Sequence, residues 1–277
     1  MDEAQHNRFD YCCRKLLLKP GDRLIEVGTA WGYMAILAAE KYGADVTNYG
    51  IVPEQNRVFE EEIKKRGLRN VRNVVKDHRE LVNEPNTYDK YVSLGVYEHS
   101  GQDCHEEWIK SIATALKPGG IGLLSFLSHM RRQPMEFLFE KYLYPGAYVP
   151  SLSQTLILLE KYDLSVVDIE SLRYHYFLAL DAWYKRFMDN WEEIHSIDPK
   201  RFDEHFRRTW TMYLAGGAET LREEDASFMD VSHIVFTKGR SEKYYPVDRE
   251  FLYEDEVLEK QAGIIRRQAP VPPLLKR

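Results

Sequence analysis

The sequence predicts an α/β protein: a seven-stranded, mostly parallel, doubly wound sheet with helical insertions after the late strands. Three observations carry this. From residue 20 short apolar runs alternate with amphipathic stretches, the order that builds βαβ units. The early runs end at glycine or polar residues, as strands do where they open on a ligand crevice. With 44% hydrophobic and 30% charged residues, a chain of 277 residues can bury a core of that size.

The elements follow in order. Arg23–Val27 is the first strand, ending at Gly28, and Met34–Tyr42 the helix after it. Ala44–Ile51 is the second strand, and the charged, amphipathic Gln55–Arg66 a solvated helix. Val71–Lys76 and Tyr88–Val96 are the third and fourth strands, the latter entered through a turn at Asn86-Thr87. Glu106–Leu116 is a helix closed by Lys117–Gly120, and Ile121–Leu127 is the fifth strand. Leu164–Ser171 and Ser232–Lys238 complete the seven. Right-handed crossovers wind such strands into a sheet covered on both faces.

Two segments exceed a minimal sheet: the Pro/Gly-punctuated His129–Pro150, and Tyr174–Arg222, rich in Trp and Tyr. They are expected to fold over the strand ends as lids, over about 129–160 and 172–225. The expected organisation is one domain over 1–240 and a C-terminal extension over 241–277. Its Gln268–Pro273 stretch reads as extended and loosely attached.

Composition excludes several classes. Lys and Arg number 38 against 44 Asp and Glu, a net charge of −6, which disfavours nucleic acid as a partner. The first residues lack the basic and apolar regions of a signal peptide, and no apolar run reaches the ~20 residues of a spanning helix, so the expected compartment is cytoplasmic. Cys12 and Cys13 are adjacent and Cys104 stands alone, a pattern of reduced thiols. No His/Cys/Glu group has metal-ligand spacing, and there is no nucleophile-elbow serine.

The candidate ligand site begins at Glu26, at the end of the first strand. Gly28, Trp31 and Gly32 follow in the turn before the helix. Gly28 lets backbone approach a ligand, and the helix N-terminus offers free amides. Ala30 breaks the phosphate fingerprint G-x-G-x-x-G, no lysine attends the turn, and Glu26 would repel phosphate but pair with an ammonium. A ligand with an amino-acid end and a nucleoside end fits, and S-adenosylmethionine is that ligand. Asp77-His78 and the run Gly95–Gly101 occupy the ends of the next strands.

These residues belong to a wider set of landmarks: Glu3–Gln5, Leu18–Gly21, Pro53–Gln55, Tyr97–His99 with Gly101, Leu116–Gly120, Tyr144–Gly146 with Pro150-Ser151, and His175-Tyr176 before Trp183. From about Glu3 to Gly239 the chain resembles the cyclopropane-fatty-acid synthase and mycolic-acid methyltransferase family. These are S-adenosylmethionine-dependent enzymes of the class I methyltransferase (Rossmann-like) fold. It also resembles the related plant alkaloid N-methyltransferases. The resemblance implies that Gly28 and Trp31 wrap the methionine part of the cofactor, with Gly50, Ile51 and Gln55 at its ribose and adenine edge. Asp77 and His78 would lie beside the adenine, and the Gly95 carbonyl would face the amino group. Glu98 and His99 would face the transferred methyl, and Tyr176 the reacting centre.

The chain also departs from the family. Gly28-Thr29-Ala30 replaces Gly-Cys-Gly, which Ala30 accommodates if its φ is negative. Asn48–Val52 lacks two family hydroxyls. Ser125 stands where the cyclopropane synthases have a histidine that helps hold bicarbonate. Met1 falls close to the Glu-x-Ala-Gln helix, so the family's upstream segment is expected to be missing.

A sulfonium methyl is already electrophilic, so the protein must align a nucleophile and exclude water. With an alkene as nucleophile, Glu98 is the base, and Tyr176 and Tyr97 are aromatic neighbours for the developing cation. With an amine, Glu98 and His99 would hold it. His105, His129 and His233 read as structural or surface residues. Arg131-Arg132 beside Met135 and Phe137–Phe139 fits either a solvated loop or a peripheral contact with an anionic membrane. The leading expectation is methyl transfer to a lipid or other hydrophobic acceptor. The alternatives are a small-molecule N-methyltransferase and a non-catalytic cofactor-binding homologue.

Overall fold

The computed structural model describes residues 2–28, 30–222, 228–239 and 244–253. Its strands are β1 (Arg23–Val27), β2 (Asp45–Gly50), β3 (Val71–Val75), β4 (Tyr88–Leu94), β5 (Leu116–His129), β6 (Leu164–Ser171) and β7 (Met229–Lys238). They form one sheet in the order β3-β2-β1-β4-β5-β7-β6. The first five are parallel, and β7 runs antiparallel between β5 and β6.

The strands are apolar throughout because both faces are covered. Successive residues divide between two cores: Leu24, Val92, Leu123 and Val235 enter one, Ile25, Tyr91, Leu124 and Ile234 the other. Helices α1 (Asp2–Lys15), α2 (Tyr33–Tyr42) and α3 (Pro53–Arg66) cover the first face. Helices α4 (His105–Ala115) and α5 (Leu152–Lys161) cover the second, where α5 buries Leu159. Helices α6 (Arg173–Asp189), α7 (Trp191–Ile197) and α8 (Glu204–Arg222) bury their apolar residues in a third cluster with Met229, at the start of β7. Because β7 is antiparallel, its start lies at the carboxyl end of β5, and Leu127 packs on the same cluster.

Several expectations change. Lys117–Gly120 does not separate helix from strand; it is a bulged part of β5, which already pairs with β4 through Leu116 and Tyr88. Lys117 Nζ, 2.7 Å from Asp89 Oδ1, and Gly119 at φ +80° allow that distortion. Residues 244–253, inside the expected extension, dock on the domain. Tyr245 donates to the Lys15 carbonyl at 3.0 Å, and Leu252 is buried. Thr29, residues 223–225 of the second inserted segment and the Pro-rich stretch lie outside the described residues.

Lys15 anchors α1. Its ammonium is buried, 2.8 Å from Asp168 Oδ2 and 2.6 Å from Glu170 Oε2 on β6. Arg249 also pairs with Asp168, so two cations meet two carboxylates. Replacing Lys15 by Met would strand the carboxylates. The expected loss is about 3–5 kcal/mol of unfolding free energy, read from urea titration at neutral pH.

Candidate active site

The chain runs from β1 outward through β2 to β3, then returns to lay β4 on the other side of β1. The crevice this opens lies beyond Gly28 and Gly95. Ser93 Oγ donates to the Val27 carbonyl at 3.0 Å and ties the two strand ends together. Gly28 sits at φ +84°, and a Cβ there would meet Val96 Cγ2 at 2.3 Å. Gly32 caps α2 at φ +85°, with its would-be Cβ 1.9 Å from Phe59. No side chain at either position is compatible with this turn. Ala30 has φ +51°, in the left-handed region, not the negative φ expected for it. A non-glycine residue there costs about 1–2 kcal/mol, a strain the turn retains.

Around the crevice the strand ends present the other expected residues. Glu26 is buried in β1. Trp31 is 46% and Ile51 66% exposed, large apolar surfaces left uncovered at the strand ends. Gly50 gives its carbonyl to Asn56 Nδ2 at 2.9 Å, so Asn56, absent from the sequence-derived set, shapes the turn beside Gln55. Asp77 caps the turn His78–Asn83, and both its oxygens are taken by Arg79. That guanidinium holds the Asp77 carboxyl at about 2. His78 stacks on Trp108 with ring centroids 3.9 Å apart, and burial lowers its basicity. Gly95, at φ +71°, donates to the Ser125 carbonyl at 2.7 Å.

The residues after β4 diverge. Tyr97–Ser100 is a 3-10 turn, so neighbours leave it in different directions. Tyr97 is wholly buried, stacked on His105 and edge-on to Phe126 in the core, which removes it from the acceptor's neighbourhood. Glu98 turns inward: Oε1 accepts from the Leu127 amide at 3.2 Å, and the buried Oε2 has no hydrogen-bond partner. His99 is exposed and packs edge-on against Tyr144 at 4.8 Å. Glu98 and His99 therefore do not face the same centre. Tyr176 of α6 does join Glu98; Arg8 and Ser125 also lie within its electrostatic reach, and Arg8 Cζ is 5.7 Å from its ring centroid. His105 and His129 are buried, His129 beside Gln133 and Phe228.

Burial raises the Glu98 carboxyl to about 7, against the smaller opposing effect of backbone hydrogen bonds. The site thus holds a group that gives or takes a proton near neutrality, within reach of Tyr176 of α6, beside which lies Arg8 of α1. Among the described residues no group of His, Cys, Asp and Glu is arranged to hold a metal. All three cysteines are free, and no described helix is long and apolar enough to cross a membrane.

The strand order and the glycine turn after β1 define the class I methyltransferase fold. Residues 1–232 match the family model described as mycolic acid cyclopropane synthetase, and the chain belongs to that family. It is 30% identical over 263 residues to the "Probable fatty acid methyltransferase" of Pseudomonas putida, covering 91% of this chain and 64% of the relative. It is 30% identical over 240 residues to the cyclopropane-fatty-acyl-phospholipid synthase of Escherichia coli K12, covering 86% and 59%. The chain thus spans about three fifths of the length of these relatives. Among solved structures, cyclopropane synthase MmaA2 of Mycobacterium tuberculosis superposes with a TM-score of 0.77 at 24% identity, over 86% of this chain and 85% of that one. Mycolic acid cyclopropane synthase CmaA1, complexed with SAH and CTAB, gives 0.76 at 25% identity over the same shares.

The raised Glu98 carboxyl makes a pH-dependent stability prediction. Its folded pKa lies above its unfolded one, so its contribution is complete below pH 4.5 and is lost as pH rises to 7. A Glu98→Gln variant, always neutral, does not suffer that loss. Its stability relative to the parent is expected to climb between pH 4.5 and 7 and then level off, by about 3 kcal/mol in total. Chemical denaturation across that range measures it.

Proposed function

We propose that the chain is an S-adenosylmethionine-dependent methyltransferase acting on an unsaturated acyl chain of a lipid. The observation that carries this reading is the buried, partly protonated Glu98 at the switch point. Family membership supports it, as does the fatty-acyl chemistry for which the two relatives above are named.

The residues present fit the cofactor. Gly28 and Gly32 leave the backbone bare at the start of α2, where amides suit a carboxylate. Glu26 suits the ammonium, and the exposed faces of Trp31 and Ile51 suit a nucleoside. Asp77 keeps its charge because Arg79 neutralises it, and it holds the turn that presents His78. When bound, the cofactor supplies an electrophilic sulfonium methyl. The chain's own groups do the rest. Tyr176 offers its ring face to the acceptor, α6–α8 keep water out, and Glu98 accepts the proton the methylated acceptor releases.

An acyl acceptor is reached from a bilayer, and the end of β5 carries a surface suited to one. Arg131, Arg132 and Lys141 are exposed there beside Met130, Phe137 and Tyr142, the pairing of cations and apolar groups that an anionic membrane attracts. The amine reading, which would use Glu98 and His99 together, finds no such support, because His99 is exposed while Glu98 turns inward.

The test is transfer of methyl label from S-adenosylmethionine to anionic phospholipid vesicles bearing cis-unsaturated chains. Label recovered with the fatty acids after saponification supports the reading; label found only on amines of an extract overturns it. In the same assay kcat of the parent is expected to rise as pH passes 7. Glu98→Gln is expected to lower kcat at least about 100-fold with SAH affinity within about twofold.

A further inference from the structure

His233 has no role in the chemistry above, yet its situation is costly. It lies within β7, is fully buried, and neither ring nitrogen meets a hydrogen-bond partner. Buried polar atoms are nearly always satisfied, and those that are not cluster where function requires them.

Register shows what His233 serves. In the antiparallel pairing of β5 with β7 it stands opposite Ser125, so both side chains leave the same face of the sheet. Ser125 is also fully buried, with an unpartnered hydroxyl. On the other side of His233 stands Glu170, which meets Lys15, so this is the face beneath α1. Ser125 lies within reach of Tyr176, and Tyr176 within reach of Glu98. Unpartnered polar atoms thus occur at Glu98, at Ser125 and at His233, with Tyr176 in electrostatic reach of the first two and His233 paired in register with Ser125.

We propose that His233 is a positioning residue of the methyl-transfer site. On acceptor binding the imidazole N–H comes to donate to Ser125 Oγ, the serine hydroxyl donates to Tyr176, and Tyr176 holds the acceptor against Glu98. Burial keeps the ring neutral, helped by the nearby charges of Lys15 and Arg8 on α1 and by His175 on α6, while Glu170 across the strand is engaged by Lys15. A neutral ring keeps one donor and one acceptor, which the series needs. The proposal rests on the function proposed above.

The variants are His233→Leu, His233→Gln, Ser125→Ala and the Leu/Ala double, each measured for turnover, KM, SAH affinity and Tm. His233→Leu is expected to lower kcat about 10-fold or more, with KM and SAH affinity within about twofold. Its Tm stays level or rises, because two unpaired polar atoms leave the core. His233→Gln keeps a donor and an acceptor and restores at least about a third of parental turnover. Ser125→Ala also loses about 10-fold, and the double variant is no slower than the slower single by more than about twofold, since the two act in one series.

Turnover of His233→Leu within twofold of the parent overturns the proposal. So does a joint fall of Tm, SAH affinity and turnover, which marks a merely structural histidine. If the Leu variant does not fold, His233→Gln, Ser125→Ala and their double decide: additive losses, or none, overturn it. If the parent labels no acyl chain, the functional reading fails, and Tm alone judges His233. A lower Tm for Leu then overturns the proposal, and an unchanged or higher one sustains a ring reserved for the site.

Discussion

An ammonium group buried between two carboxylates holds the first helix of this protein to the far edge of its sheet. Lys15 pins the end of α1 to β6, and Cys12, Cys13 and Leu16 of the same helix enter the core. The same placement aims Arg8 at Tyr176. Desolvating Lys15 and Asp168 is costly, and the arrangement is tolerable because Lys15, Arg249, Asp168 and Glu170 sum to zero. This ionic contact thus ties α1, and Arg8 with it, to the sheet.

Against that frame the electrostatics of the site come from solvent exclusion more than from neighbouring charge. Asp77 and Glu98 both follow strands at the crevice, yet their carboxyls are driven in opposite directions. Asp77 has a guanidinium on both oxygens, whereas for Glu98 burial outweighs the backbone hydrogen bonds that hold it. One remains an anion that holds a turn, and the other keeps its proton up to about neutral pH. Two carboxylates in similar positions along the chain thus acquire different chemistry from what surrounds them.

Much of this was legible in the sequence. Alternating apolar runs located all seven strands, and Gly28, Gly32, Gly50 and Gly95 stand where the crevice forms, because a glycine at a strand end has a backbone reason visible in one dimension. The glutamate after β4 was legible too. What local pattern could not convey was direction and register. Tyr97, Glu98 and His99 are consecutive, and a 3-10 turn sends one to the core, one to the site and one to solvent. Lys15 sits on a polar helix whose sequence gives no sign of a buried ion pair. His233 looks like any polar residue in a strand until the pairing of β5 with β7 sets it opposite Ser125. Lys117–Gly120 reads as a helix stop, and a salt bridge to Asp89 makes it part of a strand instead.

Leu127 belongs to two systems at once. Its side chain packs on the cluster formed by α6, α7 and α8, while its amide donates to Glu98. A shift of those helices that drags Leu127 alters the only hydrogen bond between Glu98 and the strand beside it among the described residues, and so alters the carboxyl's hold on its proton. Thermodynamic reciprocity then requires the converse: the ionisation state of Glu98 biases where the helices rest. Helix position and the proton affinity of Glu98 are two readings of a single mechanical coordinate, joined through one residue of β5.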